Sequence, residues 1–234
     1  MFERPHHQRI ARVLGALNGP LLREHSCLFG GGTSIALRFG EYRESVDVDF
    51  LVSEIGHYRA LRHALTGVDG LRPITRQGAI PLEQAGAVKA DQYGIRTQVA
   101  VDGHPIKFEI ILEGRVTLAP PGEGDEVCGI ATLTALDMAT SKLLANSDRW
   151  ADDGVFSRDL IDLAMMQPTL RLLRQAMAKA EGAYGESIRR DLARAIDRMQ
   201  ARTGGWLERC LEVMSMTDAK AVVWQRIRAL RRVL

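Results

Sequence analysis

The residues with the clearest potential for chemistry begin with a glycine turn, Gly30–Gly32, which leads into two hydroxyl residues, Thr33 and Ser34. A short apolar stretch follows, as in a loop that feeds the N-terminus of a helix. Such a terminus presents unpaired backbone N–H groups and the positive end of the helix dipole to an anion. Taken alone, three glycines indicate a tight turn that binds no ligand. The residues that follow decide between this interpretation and a phosphate-binding loop.

Two aspartates, Asp47 and Asp49, follow in the segment Ser45–Val52, where polar and apolar residues alternate strictly. If this segment is a β-strand, both carboxylates leave one face and the alternate residues enter the core. The residues predicted to enter the core are Val46, Val48, Phe50 and Val52. Two adjacent carboxylates are costly unless a cation lies between them. A solvated edge strand is the alternative, but acids on so apolar a strand argue for a metal ion.

A third acid, Glu109, lies in a predicted β-hairpin. Its strands, Tyr93–Val101 and His104–Leu112, flank Asp102-Gly103, a dipeptide that favours the positive φ of a tight turn. The second strand alternates so that Lys107 and Glu109 leave the apolar face. If the aspartates share that face of one sheet, the three acids form a cluster; an ordinary surface strand is the alternative.

These groups together are the set that nucleotidyl transfer requires. Backbone N–H groups and the hydroxyl of Thr33 or Ser34 would hold a triphosphate, and the carboxylates would hold two Mg²⁺ (or Mn²⁺) ions. One ion lowers the pKa of the attacking hydroxyl, and the other neutralises charge on the leaving pyrophosphate. Glu109 would contact only the first ion and could assist deprotonation.

The composition is that of an ordinary globular protein of 234 residues, 46% hydrophobic. The chain has neither an apolar stretch of the roughly 20 residues that a membrane span needs nor a leader-like N-terminus, so we expect a cytoplasmic protein without a membrane partner. Three widely spaced cysteines predict reduced thiols. Residues 189–234 carry 11 basic and 5 acidic residues, and residues 1–188 carry 20 and 24. This asymmetry fits a polyanion contacting the C-terminal part and fits a merely soluble surface equally well.

The elements that position these groups define an α/β (α+β) protein, with a mixed β-sheet and flanking helices followed by an α-helical C-terminal region. The linker Pro120–Gly124 predicts a core domain over 1–125 and a helical domain over 126–234 that closes over the nucleotide. In the core we expect a first helix over Pro5–Leu17, ended by Asn18-Gly19-Pro20. His6 and His7 are predicted to lie on a mobile terminus.

Further elements follow from the same patterns. Ser53 is predicted to cap a helix with one apolar stripe, and Leu71–Thr75 to form a short strand. The stripe comprises Ile55, Tyr58, Leu61 and Leu65. Beyond residue 125 only helices are expected. Ser157 should cap one of them, and Pro168 should occupy the first turn of the next. The last helices are predicted over Tyr184–Ala201, Trp206–Met214 and Asp218–Val233.

Four blocks of sequence carry a resemblance to a known family. The blocks are GGTSIAL, RESVDVDF, IKFEI, and SKLLANSDRW followed by SRDLIDL. The glycine motif followed by DVD resembles the signature of the nucleotidyltransferase superfamily that includes DNA polymerase beta. The four blocks in this order, from about Leu28 to Met166, are similar to the AbiEii/AbiGii toxin family of minimal nucleotidyltransferases.

The resemblance, with the chemistry above, gives each matched residue an expected role. The nucleotide-binding residues are Gly31, Gly32, Thr33, Ser34, Lys107, Asp159 and Asp162. The catalytic residues are Asp47, Asp49, Glu109 and Lys142, and the three acids among them bind metal. Some alternatives stay open: Lys142 could be a solvated lysine, Arg43 a phosphate contact or a loop charge, and Asp159 and Asp162 a structural ion network with Arg149 or Arg158. The span Trp150–Phe156 is longer than the family pattern implies.

The resemblance also implies a function. It indicates the toxin of a toxin–antitoxin or phage-defence pair, which would use an NTP, add nucleotides to the 3′ end of tRNA and have a cognate antitoxin as partner. Two alternatives remain, namely transfer to a small molecule or protein hydroxyl, and a nucleotide-binding regulator without catalysis.

Overall fold

The computed structural model describes residues 2–202 and 204–234, which form two compact units. One, the sheet unit, comprises the chain up to Arg38 together with Ser45–Thr134. The other, the helical unit, comprises Phe39–Glu44 and Ala135–Leu234. The short segment between the glycine motif and the two aspartates therefore belongs to the helical unit. A domain division after residue 125 stays a prediction.

The sheet unit is built on a six-stranded sheet with the order β1-β2-β6-β5-β3, in which β4 also pairs with β5. The strands are β1 (Leu28–Phe29), β2 (Val48–Val52), β3 (Glu83–Gln84), β4 (Lys89–Ala90), β5 (Gly94–Val101) and β6 (His104–Leu112). Among these described strands, only the β2–β6 pair is parallel. The sheet is mixed, as the sequence predicts. The hairpin β5–β6 is also confirmed, and Asp102 and Gly103 form its turn with φ of 53° and 73°.

The described part of the sheet unit also forms four helices: α1 (Pro5–Ala16), α2 (Gly19–Glu24), α3 (Gly31–Arg38) and α4 (Ile55–Leu65). Helix α1 buries Ile10, Val13 and Leu14 completely, because these residues share one face at helical spacing. Asn18 does more than end α1. Its side chain accepts a hydrogen bond from the backbone N–H of Leu21 at 3.2 Å and so caps α2.

Several local predictions in the sheet unit are wrong. Ser53 does not cap α4, because its hydroxyl accepts a hydrogen bond from Leu118 N–H instead. Ile55 is 49% exposed, whereas the other three members of its predicted stripe are buried. The predicted strand Leu71–Thr75 is a 3-10 helix over Arg72–Ile74, since Pro73 cannot donate to a strand ladder.

A second, two-stranded sheet corrects the prediction that only helices follow residue 125. Strands β7 (Glu126–Val127) and β8 (Ile130–Ala131) pair across a turn at Cys128 and Gly129, both with positive φ. Two-residue strands are too short to produce a readable alternation.

In its described residues, the helical unit contains six helices and short 3-10 turns over Asp153–Val155 and Leu230–Val233. The helices are α5 (Ala135–Arg149), α6 (Arg158–Met165), α7 (Leu170–Tyr184), α8 (Ser187–Ala201), α9 (Trp206–Val213) and α10 (Lys220–Ala229). In the described parts of the chain, no helix combines the length and apolarity needed to cross a membrane.

Two boundary predictions and one capping prediction in the helical unit are wrong. Tyr184 ends α7 rather than starting α8, because Gly185 takes a φ of 65° between them. Pro168 precedes the N-cap residue Thr169 and lies outside the helix. Ser157 occupies the N-cap position of α6 in a left-handed conformation, but its side chain makes no capping hydrogen bond.

Candidate active site

The glycine motif contacts the second aspartate directly. Gly31 begins α3 with a φ of 67°, and a Cβ atom on it would lie 2.5 Å from Oδ2 of Asp49. The preceding Gly30 N–H donates to the carbonyl of Asp49 at 2.8 Å. Glycine at position 31 therefore serves two needs, the left-handed backbone and the close approach of a carboxylate.

The hydroxyl residues after the glycines have different surroundings. Thr33 is buried, and its hydroxyl donates to Oγ of Ser45 at 2.8 Å, within the sheet unit. The hydroxyl of Ser34 is also buried and has no hydrogen-bond partner among the described residues. Because a buried polar group without a partner is unfavourable, Ser34 is the better placed of the two to gain a ligand contact.

The two aspartates differ in setting. Strand β2 begins at Val48, so Asp49 lies within the strand and Asp47 directly precedes it. Both side chains are partly exposed. Val46, which the alternation assigns to the core, is 46% exposed, because the strand has not yet begun at that position.

Glu109 lies directly opposite Asp49 in the parallel pair β2–β6. Opposite residues of paired strands point to the same face of a sheet, so the two carboxylates share one face. The buried partners Phe50 and Ile110, the next pair in register, point to the other face and enter the core. The condition on which the sequence predicted an acid cluster is thus met for Asp49 and Glu109.

Both oxygens of Glu109 contact cations of the same hairpin. Oε2 lies 2.6 Å from Nζ of Lys107, and Oε1 lies 3.1 Å from Nε of Arg96. Burial alone would lower the pKa of Lys107. The negative charge of Glu109 outweighs this effect, with smaller contributions from Asp47 and Asp49, and raises the pKa of Lys107 above its ordinary value. The ammonium group of Lys107 therefore lies within the electrostatic influence of all three acids.

The donor set suits a hard divalent cation, because carboxylate oxygens are the ligands that Mg²⁺ and Mn²⁺ prefer. Asp47, Asp49 and Glu109 supply them, and the absent side chain of Gly31 leaves room beside Asp49. Within residues 2–202 and 204–234, no three His, Cys, Asp or Glu side chains are already arranged to hold a metal ion. Each oxygen of Glu109 instead faces a cation, Arg96 or Lys107.

His7 is a site-supporting residue that sequence reasoning missed. It is completely buried, and its Nε2 accepts a hydrogen bond from Ser45 N–H at 3.1 Å, two residues before Asp47. His6 Nε2 contacts the carbonyl of Val46 at 3.0 Å. The prediction of a mobile terminus is therefore wrong. The missed signal is helical spacing, since His7 lies one turn before the buried Ile10 on α1.

Lys142, Asp159 and Asp162 come together inside the helical unit. Nζ of Lys142 lies 3.0 Å from Oδ1 of Asp159 and 2.7 Å from Oδ2 of Asp162, and all three side chains are buried. Arg149 also contacts Asp159, at 2.6 Å, whereas Arg158 is exposed. Lys142 is therefore not a solvated lysine. The structural ion network that the sequence left open is present, and nucleotide contact by these residues stays a prediction.

Arg43 belongs to the same network. Its Nε and Nη2 donate to the two oxygens of Asp162 at 2.7 and 3.0 Å, and the hydroxyl of Tyr42 donates to Oδ1 at 2.6 Å. Burial alone would raise the pKa of Asp162, but Arg43 and Lys142 outweigh it and hold that pKa well below the ordinary aspartate range. Arg43 is thus more than a loop charge, because it neutralises a buried carboxylate of its own unit.

Comparison with solved structures finds two chains with a similar fold. The chain is similar to a proposed nucleotidyltransferase from Helicobacter pylori, with 16% identity, a TM-score of 0.50 and coverage of 97% of this chain and 93% of that chain. It is also similar to JHP933 from Helicobacter pylori, with 15% identity, a TM-score of 0.51 and coverage of 99% and 94%. No curated protein sequence matches significantly.

The family follows from the sequence match. Residues 12–230 match the family model described as nucleotidyl transferase AbiEii toxin, type IV toxin–antitoxin system. The chain belongs to the AbiEii family and is a nucleotidyltransferase. Membership implies a nucleotide substrate and a cognate antitoxin. The resemblance read from the four sequence blocks is confirmed.

Proposed function

We propose that this nucleotidyltransferase moves an NMP from an NTP onto RNA, at the 3′ end of tRNA, with Mg²⁺ or Mn²⁺ as cofactor. It would act in the cytoplasm as a toxin that its cognate antitoxin restrains. The observation that carries the proposal is that Asp49 lies beside Gly31, the first residue of α3, and opposite Glu109 in the β2–β6 pair. This arrangement puts a candidate phosphate-binding turn beside candidate metal ligands.

The triphosphate would bind at the start of α3. The first N–H groups of a helix have no partner within it, so Gly31, Gly32 and Thr33 would offer backbone donors to phosphate oxygens. The buried hydroxyl of Ser34, which lacks a described partner, would donate to the same anion. Lys107, half-exposed beside the acids, would supply a positive charge.

Asp47, Asp49 and Glu109 would hold the metal ions. When bound, the metal lowers the pKa of the attacking hydroxyl and neutralises the leaving pyrophosphate. Glu109 would further accept the proton of that hydroxyl. Gly31 leaves the Asp49 carboxylate the room it needs, because a Cβ atom at position 31 would lie 2.5 Å from its Oδ2.

Lys142, Asp159 and Asp162 match the helical motifs of the family, and the family resemblance implies that the lysine and the aspartates are needed for activity. The two carboxylates fix the Lys142 ammonium group at 3.0 and 2.7 Å. Asp162 also binds Tyr42 and Arg43, and these contacts support a role in positioning the lysine.

An RNA acceptor agrees with the charge of the C-terminal part, where residues 189–234 carry 11 basic against 5 acidic residues. Positive charge attracts the phosphate backbone without regard to sequence. The specific choice of tRNA comes from the family resemblance.

The proposal is tested by incubating the protein with each of the four radiolabelled NTPs, Mg²⁺ and a cell extract. Label should enter the tRNA band and be released from the 3′ terminal position by a 3′ exonuclease. If the label enters protein or small molecules instead, the acceptor is not RNA. If no acceptor leads to pyrophosphate release, nucleotidyl transfer itself is refuted. The Asp49→Asn variant, which lacks one candidate metal-binding carboxylate, serves as the negative control.

A further inference from the structure

One line of charged side chains crosses the sheet unit. Register pairs Lys89 with Arg96, Arg96 with Glu109, and Glu109 with Asp49, across β4, β5, β6 and β2. Opposite residues share a face, so two basic and two acidic groups follow one another on the side that bears the candidate site.

Arg96 is the cation of this line that bridges two acids. Its Nε lies 3.1 Å from Oε1 of Glu109, and its Nη1 lies 3.0 Å from Oδ2 of Asp91. Asp91 is fixed in turn, because its Oδ1 accepts the backbone N–H groups of Tyr93 and Gly94 at 2.7 and 2.9 Å. The guanidinium therefore has a defined position, although the Arg96 side chain is 43% exposed and open to solvent.

This contact opposes the binding of a metal ion. Lys107 holds the other oxygen of Glu109, so a metal at Glu109 must compete with one of the two cations. Like charges repel most strongly where water is partly excluded, and the Glu109 side chain is only 11% exposed. Arg96 and Lys107 thus neutralise Glu109 without any metal.

We infer that Arg96 is a positioning residue that responds to the nucleotide and couples its binding to that of the metal. In the free protein it neutralises Glu109. A bound triphosphate, which suits a guanidinium better than one carboxylate does, draws Arg96 away and releases Glu109 for the metal. Nucleotide and metal then strengthen each other's binding, because such coupling is reciprocal. The inference rests on the proposed nucleotide site.

The test is Arg96→Gln, studied without catalysis. Mn²⁺ alone, titrated by electron paramagnetic resonance, should bind the variant about threefold more tightly than the wild type, the size expected for one partly exposed ion pair. Each labelled NTP in EDTA, followed by equilibrium dialysis, should bind the variant at least about threefold more weakly. Arg96→Lys, which keeps the charge, should return Mn²⁺ affinity to the wild-type value.

Lys89→Gln is the matched control. Lys89 lies one strand further along the same line, and its register partner is Arg96 rather than Glu109. This variant should bind Mn²⁺ and NTPs like the wild type. A larger effect from Lys89→Gln than from Arg96→Gln would overturn the assignment to Arg96.

Tighter Mn²⁺ binding together with weaker NTP binding distinguishes the proposed coupling from a purely structural role of Arg96. If Arg96→Gln weakens both ligands or changes neither, Arg96 does not couple them. A wild-type protein that binds no NTP refutes the proposed function itself. A wild-type protein that binds both ligands, with a variant that behaves identically, refutes only the coupling.

Discussion

Asp49 and Glu109 lie opposite each other on the parallel strands β2 and β6, and no other strand pair of the described sheet is parallel. Their carboxylates share a face with Lys107, whose raised pKa reflects the surrounding acids. This relationship turns separate sequence motifs into one candidate site for the nucleotidyl transfer that the family performs.

Asp49→Asn should abolish transfer while preserving the fold. The change removes a candidate metal ligand, and it also reduces repulsion with the nearby acids. RNA labelling should fall to background, and the thermal unfolding temperature by circular dichroism should stay equal or rise. Retained labelling would contradict the role of Asp49 in the site.

Gly31→Ala should cost both stability and activity. An alanine at φ 67° is strained by roughly 1–2 kcal/mol, and its Cβ would lie 2.5 Å from Oδ2 of Asp49 and displace that carboxylate. Gly103→Ala is the control, because Gly103 has a φ of 73° with open space around it. Gly31→Ala should lose more unfolding free energy than Gly103→Ala, because only its Cβ also meets Asp49, and only Gly31→Ala should lose RNA labelling. Equal activities would show that the contact with Asp49 is unimportant.

Arg43→Met should destabilise the helical unit by about 3 kcal/mol, because it leaves Asp162 buried with fewer compensating charges. All three tryptophans lie in this unit, so urea unfolding followed by tryptophan fluorescence reports on it. Arg231→Met removes the exposed pair with Asp197 and should cost less than about 1 kcal/mol. A small effect of Arg43→Met would show that Lys142 and Tyr42 suffice to neutralise Asp162.

The helical unit should lose stability in acid. Asp162 and Asp159 have pKa values below their ordinary range, since neighbouring cations outweigh the effect of burial. A carboxylate with a lowered folded-state pKa stabilises the protein above its unfolded pKa of about 4, and this contribution fades as the pH falls further. Tryptophan-monitored unfolding between about pH 6 and pH 2.5 should show this decline.

Asp162→Asn tests the origin of that pH dependence. The variant is expected to be less stable near neutral pH, because it loses the charge that Arg43 and Lys142 face. Its stability should then depend less steeply on pH below about 4. An unchanged slope would assign the acid sensitivity to other groups.

Patterns of neighbouring residues in the sequence were sufficient to predict much of the secondary structure. The period of α1, the Asp102-Gly103 turn and the glycine-to-helix junction are local features, and the structure contains each of them. Local patterns gave wrong predictions at β7–β8, where the strands are very short, and at Ser53, whose side chain has another hydrogen-bond partner.

The sequence by itself therefore determined the reaction class, because the glycine turn, the paired aspartates and the ordered family motifs are all readable along the chain. Only the tertiary structure decided which groups meet. It pairs β2 with β6, buries His7 behind Ser45, occupies Glu109 with Arg96 and Lys107, and joins Arg43 to Asp162. The physical reason is that strand register and buried ion pairs depend on packing between distant segments, which no local period records.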